Sequence, residues 1–191
     1  MTENPEFARL VSLACHDLRT PLATVYGFAR TLTRAGDLAD PAARYVGMIE
    51  AAAQQMTVLL DDLGVAARIQ SDRYAPVPLE RDTVELAHGA AARVDKVTVS
   101  GTEGATVEVD VEPFERALAG LAHAAQRHGG LESAEIAVAG REFRIGPVTA
   151  EAADVVLARE LKDMGAAVAL MLLDASGARV ALDGETLVVG L

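Results

Sequence analysis

One short segment of the chain combines three side chains that could transfer a phosphoryl group: His16-Asp17-Leu18-Arg19-Thr20-Pro21-Leu22. On a helix, Thr20 shares the face of His16, four residues earlier, while Asp17 is turned from it by about 100°. A nearby carboxylate can hold one ring nitrogen of an imidazole as a donor, which leaves the other nitrogen free to attack phosphorus. We therefore single out His16 as a candidate nucleophile, with Asp17 and Thr20 as its helpers.

Apolar residues recur around this segment at steps of three and four, which predicts one long amphipathic helix in a bundle. They are Phe7, Val11, Ala14, Leu18, Leu22, Val25, Ala29 and Leu32. We expect the helix to end near the Ala35-Gly36-Asp37 sequence, because glycine is a common stop signal. His16 is two residues from Ala14 and from Leu18, about 200° around the helix, so it should point away from the bundle core.

A second helix is predicted after the turn, because Asp40 could cap its start and Pro41 suits the first helical position. Its apolar stripe consists of Tyr45, Ile49, Ala52, Met56, Leu59, Leu63 and Ala66. A hairpin of two such helices cannot bury both of their apolar faces. Two copies would complete a four-helix bundle, so we predict a homodimer built through residues 6–70.

Pro21 lies in the middle of the first predicted helix. A proline there removes one backbone hydrogen bond and clashes with the carbonyl of Asp17, at a cost of about 3 kcal/mol or more. Two interpretations stay open at this point. The proline is either a tolerated kink or a bend that loosens the backbone beside the reactive residues.

The heptapeptide resembles the H box of the sensor histidine kinases, whose two-helix dimerisation domain agrees with the hairpin over residues 6–70. The resemblance implies that His16 accepts the phosphoryl group, that Asp17 assists the transfer and that Thr20 supports phosphatase activity. We assign Arg19 and Pro21, in the same box, to partner binding. The implied partners are the receiver domains of response regulators.

Two prolines, Pro76 and Pro78, mark a linker between a helical domain over residues 1–72 and a second domain over residues 77–191. The second domain alternates helix-like and strand-like segments, which predicts a small α/β sandwich behind the hairpin, an α+β protein overall. We expect helices over 79–93, 112–128, 150–164 and 166–175. We expect a hairpin over 95–109 that turns at 101–104, and strands over 135–138, 142–145, 178–182 and 186–189.

This order of elements resembles the ATP-binding domain of the same kinases, of the GHKL or HATPase type, but the boxes of that domain are missing. When the helix is aligned on Ala125 and His128, the two asparagine positions hold Gly120 and Ala124. A methyl group cannot bind Mg²⁺, which needs oxygen ligands. Residues 143–147 contain no acidic residue and one glycine, and residues 148–152 leave no room for a phosphate loop. The resemblance therefore implies a degenerate domain without a nucleotide or any other cofactor, with Mg²⁺ supplied by the regulator.

Composition excludes several other function classes. The chain has 191 residues and a net charge of −11, so a phosphate backbone would repel it and nucleic-acid binding is not expected. The single cysteine, Cys15, excludes an internal disulfide and a cysteine-built zinc site. His123 and His128 are five residues apart rather than four, so neither they nor His88 suggest a metal site. With no basic leader and no apolar run near the ~20 residues of a membrane helix, we expect a cytoplasmic protein without membrane contact.

Three functional hypotheses follow. The first is a dimeric histidine phosphotransferase, similar in kind to bacterial relay proteins, which passes a phosphoryl group on His16 between regulator aspartates without binding ATP. The second is an active sensor-type histidine kinase or phosphatase with a diverged ATP site. The third is a pseudokinase without catalysis that binds and regulates a response regulator. We rank transfer above the third because a pure scaffold gains nothing evident from keeping Asp17 and Thr20.

Overall fold

A computed structural model describes residues 5–36, 38–101 and 103–191 of the chain. The chain divides into two compact units with a boundary between Tyr74 and Ala75. Asp37 and Thr102, each part of a predicted turn, lie outside the described residues, as does the side chain of Phe7.

The first unit is an antiparallel pair of helices, α1 (Pro5–Ala35) and α2 (Asp40–Gln70). The helical conformation of α1 continues through Pro21. At the start of α2, Ala39 occupies the N-cap and provides no side-chain hydrogen bond. Asp40 is therefore the first helical residue and not the cap that the sequence predicted. Its charge still suits the positive end of the helix dipole.

The apolar stripe of α1 divides into two faces. The residues that α1 buries are seven apart, as in a heptad seam: Ala8, Cys15, Leu22 and Ala29. By contrast, Leu18, Val25 and Leu32, which we predicted for the same seam, are exposed in the single chain. On α2 the predicted stripe is exposed over Tyr45, Ile49, Ala52, Met56 and Leu59. The two helices thus pack through one seam and leave a second apolar surface open.

The second unit has a five-stranded sheet in the order β2-β4-β5-β7-β6, in which β2 and β4 are parallel and the other neighbours are antiparallel. A separate antiparallel pair is formed by β1 and β3. The elements are β1 (Leu79–Asp82), α3 (Thr83–Ala91), β2 (Val97–Ser100), β3 (Thr106–Val109), α4 (Val111–Gly129), β4 (Ala134–Ala139), β5 (Glu142–Gly146), α5 (Ala150–Val156), α6 (Met164–Ala175), β6 (Arg179–Asp183) and β7 (Thr186–Gly190).

Helices and one face of the sheet enclose the core of this unit. The rings of Phe114 in α4 and Phe143 in β5 pack with their centroids 5.5 Å apart. Alternate strand residues, such as Ile136 and Ile145, are fully buried, while Glu135 and Glu142 on the opposite face are exposed. The predicted α+β fold, a helical hairpin followed by a small α/β layer, is confirmed.

Two local predictions in the first half of this unit were wrong. Residues 79–82 form a strand, and the helix begins only at Thr83, where the Asp82 side chain accepts hydrogen bonds from the N–H groups of Val84 and Glu85. The predicted hairpin over 95–109 does not form, because β2 pairs with β4 and β3 pairs with β1. A Cβ at Gly101 would overlap the Val138 backbone, so this glycine serves a close approach to β4 instead of a hairpin turn.

The helix predicted over 150–164 is also wrong in its extent. It ends at Val156, and Ala158 adopts a positive φ of 50°. The next helix starts at Met164, because the side chain of Asp163 caps it by accepting the N–H of Ala166 at 3.0 Å. Gly165 therefore lies in the first turn of α6.

Candidate phosphoacceptor site

His16 and Asp17 form a hydrogen-bonded pair on the exposed side of α1. His16 Nδ1 lies 3.2 Å from Asp17 Oδ1, and the two side chains are 77% and 68% exposed. Because an ionised carboxylate only accepts, the Nδ1–H donates and the Nε2 lone pair stays available in an exposed ring. This is the arrangement a nucleophilic imidazole needs.

The burial of Cys15 explains why His16 faces solvent. Cys15 is 3% exposed and lies against α2, where a Cβ built on Gly64 would be 4.0 Å from the Cys15 Cβ. Cys15 therefore faces α2 at the level of Gly64. His16, the next residue, is rotated by about 100° from this contact and leaves the seam.

Thr20 and Pro21 follow one turn later and are both exposed. Proline has no N–H, so the carbonyl of Asp17 does not receive the usual bond from position 21. One turn on, Thr24 Oγ1 donates to the carbonyl of Thr20 at 3.2 Å. The helix nevertheless continues, which favours the interpretation of Pro21 as a tolerated interruption next to the reactive residues.

Arg19 makes a contact that the sequence did not predict. Its Nη2 donates to Oδ1 of Asp61 on α2 at 2.5 Å, and the two side chains are about half exposed. In a helical hairpin, residues at equal distances from the turn lie side by side. This rule alone would have placed this part of α2 near the H box. The choice between Asp61 and its neighbour Asp62 depends on the rotation of α2, which the apolar pattern did not fix.

The asparagine positions named from the resemblance lie on a closed face of α4. Ala124 is fully buried, and a Cβ built on Gly120 would lie 3.5 Å from both the carbonyl oxygen of Gly165 and the Cβ of Ala169. Helix α6 therefore packs directly on this part of α4. The two positions hold core atoms and offer no oxygen ligand for Mg²⁺.

Residues 8–72 match the model of the His Kinase A (phospho-acceptor) domain. The match covers the helical hairpin, which is therefore similar to the phospho-acceptor domain of histidine kinases. The match includes all five residues assigned to the site from the sequence, His16, Asp17, Arg19, Thr20 and Pro21.

Individual relatives are similar to this chain over different lengths. The chain is 33% identical over 95 residues to the probable sensor histidine kinase TcrY of Mycobacterium tuberculosis, which covers 50% of this chain and 19% of that kinase. Full-length ShkA in complex with AMPPNP superposes with a TM-score of 0.70 at 18% identity, over 95% of this chain and 44% of ShkA. The Acinetobacter baumannii histidine kinase AdeS gives 0.55 at 16% identity, over 91% of this chain and 94% of the AdeS chain. The chain thus spans about a fifth of TcrY and less than half of ShkA.

His128 of the α/β unit forms a partly buried pair with Asp163, Nε2 to Oδ2 at 2.9 Å. Burial is the largest influence on the pKa of Asp163 and raises it. The hydrogen bonds from Ala166 and His128 and the charges of His128 and Arg127 together outweigh burial, so the pKa lies below its usual range. This histidine links the end of α4 to the start of α6 and has a structural role.

Two cavities in the α/β unit lie away from the closed α4 face. One, of about 530 Å³, lies on the open side of the sheet near Thr98, Arg144 and Thr186. The other, of about 390 Å³, lies near Lys96 and His123. Among residues 5–36, 38–101 and 103–191, no three histidine, cysteine or acidic side chains group as metal ligands. No helix in the described part of the chain is long and apolar enough to cross a membrane.

Proposed function

We propose that this chain carries a phosphoryl group on His16 in two-component signalling and exchanges it with the receiver aspartates of response regulators. The observation that carries the proposal is the exposed His16–Asp17 pair, with Nδ1 engaged and Nε2 available. The match of residues 8–72 to the His Kinase A domain and the similarity to TcrY support a role in this kind of signalling.

The chemistry is a direct displacement at phosphorus. The Nε2 lone pair of His16 attacks the aspartyl phosphate of a regulator, and a P–N bond forms as the P–O bond breaks. The regulator carboxylate leaves with the electron pair. The proton stays on Nδ1, where Asp17 stabilises the positive ring. The reverse reaction passes the group to another regulator, and Thr20, one turn from His16, is assigned to dephosphorylation.

The proposed donor is an aspartyl phosphate rather than ATP. The support is the α4 face, where Ala124 is buried and Gly120 packs against α6. A nucleotide in the position implied by the resemblance would have to displace α6 and would meet no magnesium ligand at these two positions. In this proposal the regulator supplies the Mg²⁺ of the reaction, and this chain needs no cofactor of its own.

An ATP-dependent sensor-type histidine kinase is the second candidate, and the comparisons favour it over the first. TcrY and AdeS are named as histidine kinases, and the ShkA structure holds AMPPNP. The relatives therefore support kinase activity, whereas the closed α4 face supports transfer without ATP. A pseudokinase that binds a regulator without catalysis shares the same fold but leaves the His16–Asp17 pair without a role.

A homodimer is part of the proposal. The exposed apolar face of the hairpin, which includes Leu18, Val25 and Met56, continues along both helices. Contiguous exposed apolar surface of this kind is unusual on a monomer, and burial against a second copy would complete a four-helix bundle.

A labelling experiment separates the three hypotheses. Phosphorylated receiver domains from the host are incubated with the full chain, and a parallel arm contains [γ-³²P]ATP and Mg²⁺ alone. We expect label on the wild type and on His123→Gln, a matched exposed histidine of α4, and no label on His16→Gln. Label in the ATP arm would establish the kinase instead. Tight receiver binding without label, unchanged by His16→Gln, would establish the pseudokinase.

A further inference from the structure

Asp61 and Arg19 connect the two helices of the hairpin within one turn of the proposed phosphoacceptor. The bond runs from Arg19 Nη2 on α1 to Asp61 Oδ1 on α2. We propose that Asp61 is a positioning residue for phosphoryl transfer, because it fixes the guanidinium of Arg19 beside His16. The inference rests on the proposed function of His16 and assigns a role to a residue outside the H box.

Helix geometry places Arg19 close to His16. Residues three apart on a helix are surface neighbours. The arginine side chain is long and has many rotamers, so proximity of the backbone alone does not fix its guanidinium. The contact with Asp61 selects the rotamers that lie against α2. Asp61 thereby converts a mobile positive charge into one held at a defined place near the reacting nitrogen.

The guanidinium can serve two acceptors at once. It carries five N–H donors in a planar fork, and the bond to Asp61 involves its Nη2. The remaining donors can bind the oxygens of a phosphoryl group, which carry most of the charge during transfer. Lysine, a single ammonium group, lacks this fixed fork, so the role depends on arginine in particular.

A purely structural role explains the pair less well. Both side chains are about half exposed, at 48% and 44%, and ion pairs of this kind contribute little to stability. The helices are already joined through the buried seam of Ala8, Cys15, Leu22 and Ala29. Removal of the Asp61 carboxylate should therefore leave the hairpin folded, and the resulting change in rate can be measured on an intact protein.

Phosphoramidate provides a probe that needs no partner protein. In its zwitterionic form, Nε2 of His16 attacks phosphorus, the P–N bond of the reagent breaks, and ammonia leaves with the electron pair. The full chain is labelled over a range of phosphoramidate concentrations. The variants are Asp61→Asn, Arg19→Gln, the double variant and Asp61→Glu, with Glu50→Gln on α2 as the matched loss of one acidic charge.

We expect Asp61→Asn and Arg19→Gln each to lower the maximal labelling rate about tenfold. The phosphoramidate concentration that gives half of this rate should change less than about twofold. The double variant should be no slower than Arg19→Gln, because the two residues act in one unit. Asp61→Glu should recover most of the rate, and Glu50→Gln should match the wild type. The ³¹P resonance of phosphorylated His16 should shift alike in the two single variants.

Three results would overturn the inference. Labelling of Asp61→Asn at the wild-type rate would do so and would leave the proposed function intact. Full recovery by exchanged charges, Arg19→Asp with Asp61→Arg, would show that the pair only holds the helices together. Labelling that His16→Gln leaves at the wild-type rate and extent would overturn both proposals. If receivers never exchange the group while the Asp61 effect is present, the proposed function fails and the inference stands.

Discussion

The candidate functional positions of the hairpin are exposed to solvent, whereas those of the α/β unit are closed off. In the hairpin, His16 and Asp17 are exposed, and a face with Leu18 and Val25 is open to solvent. In the α/β unit, the face that the resemblance associates with a ligand is closed: Gly120 packs against α6, and Ala124 is fully buried. The surface of the hairpin is open to contact with other molecules, whereas α4 and α6 pack against each other and form part of a core. The contrast supports the proposal that the chemistry takes place on the hairpin.

The largest effect on the transfer rate is expected when the negative charge of Asp17, beside His16, is removed. Asp17→Asn should slow single-turnover transfer onto His16 by about 100-fold or more, because the carboxylate no longer orients Nδ1–H and stabilises the imidazolium. The side chain is exposed, so the unfolding free energy should change by less than about 0.5 kcal/mol. Asp17→Glu is the control that keeps the carboxylate. Wild-type transfer by Asp17→Asn would end the assignment of Asp17 as a helper.

The open apolar face is tested by a charge placed on it. Val25→Glu should raise the dimer dissociation constant by about 100-fold or more, roughly 2.7 kcal/mol, because each copy would bury an unpaired carboxylate. Sedimentation analysis at micromolar concentration measures this change. Leu13→Glu is the matched control, since Leu13 is exposed on α1 but lies outside both apolar faces. A wild-type monomer, or equal effects of both variants, would remove the dimer from the proposal.

The helices of the hairpin could be predicted because their apolar period is regular over many turns. The same period could not distinguish the residues that face the other helix of the hairpin from those left open. Leu22 and Leu18 are adjacent members of one predicted stripe, yet the first is buried and the second exposed. Which of two neighbouring heptad positions faces α2 depends on the rotation of both helices, a tertiary quantity. The contact between Asp61 and Arg19 could not be predicted for the same reason, because it depends on the rotation of α2.

Strand pairing in the α/β unit shows a different limit. The glycines at 101 and 104 signal a reversal of the chain, and the reversal was interpreted as a hairpin. A turn signal specifies a change of direction but not the partners of the strands, which depend on non-local burial. Val97 pairs with Ala134, more than thirty residues away. The absence of asparagine at 120 and 124 could be read from the sequence, whereas the closure of that face by α6 could not.

The closed α4 face is tested by introducing an asparagine at position 124. Ala124→Asn should lower the unfolding free energy by about 2–3 kcal/mol, because a larger polar group enters a filled core. Urea unfolding followed by circular dichroism measures the loss, and calorimetry should detect no ATP binding. His123→Asn, at the exposed neighbouring position, should be close to neutral. A stable Ala124→Asn protein that binds ATP would show that the face still accommodates a nucleotide.

The smallest effect concerns the His128–Asp163 pair that joins α4 to α6. Asp163→Asn keeps a side chain able to cap α6 but removes the charge paired with His128, so we expect a loss of about 1 kcal/mol at neutral pH. Because folding lowers the pKa of Asp163, its ionised form stabilises the folded state. This contribution is complete above the pKa of an unfolded aspartate, about 3.9, and is lost as the pH falls from there through the lower folded pKa.

Urea midpoints measured from pH 7 to pH 3 test this expectation. The difference between wild type and Asp163→Asn should shrink as the pH falls below about 4. Asp174→Asn, an exposed carboxylate on the same helix, should show a smaller difference throughout. A difference that grows as the pH falls below about 4 would mean that the charge of Asp163 opposes folding. The closure of α4 by α6 would then depend on apolar packing alone.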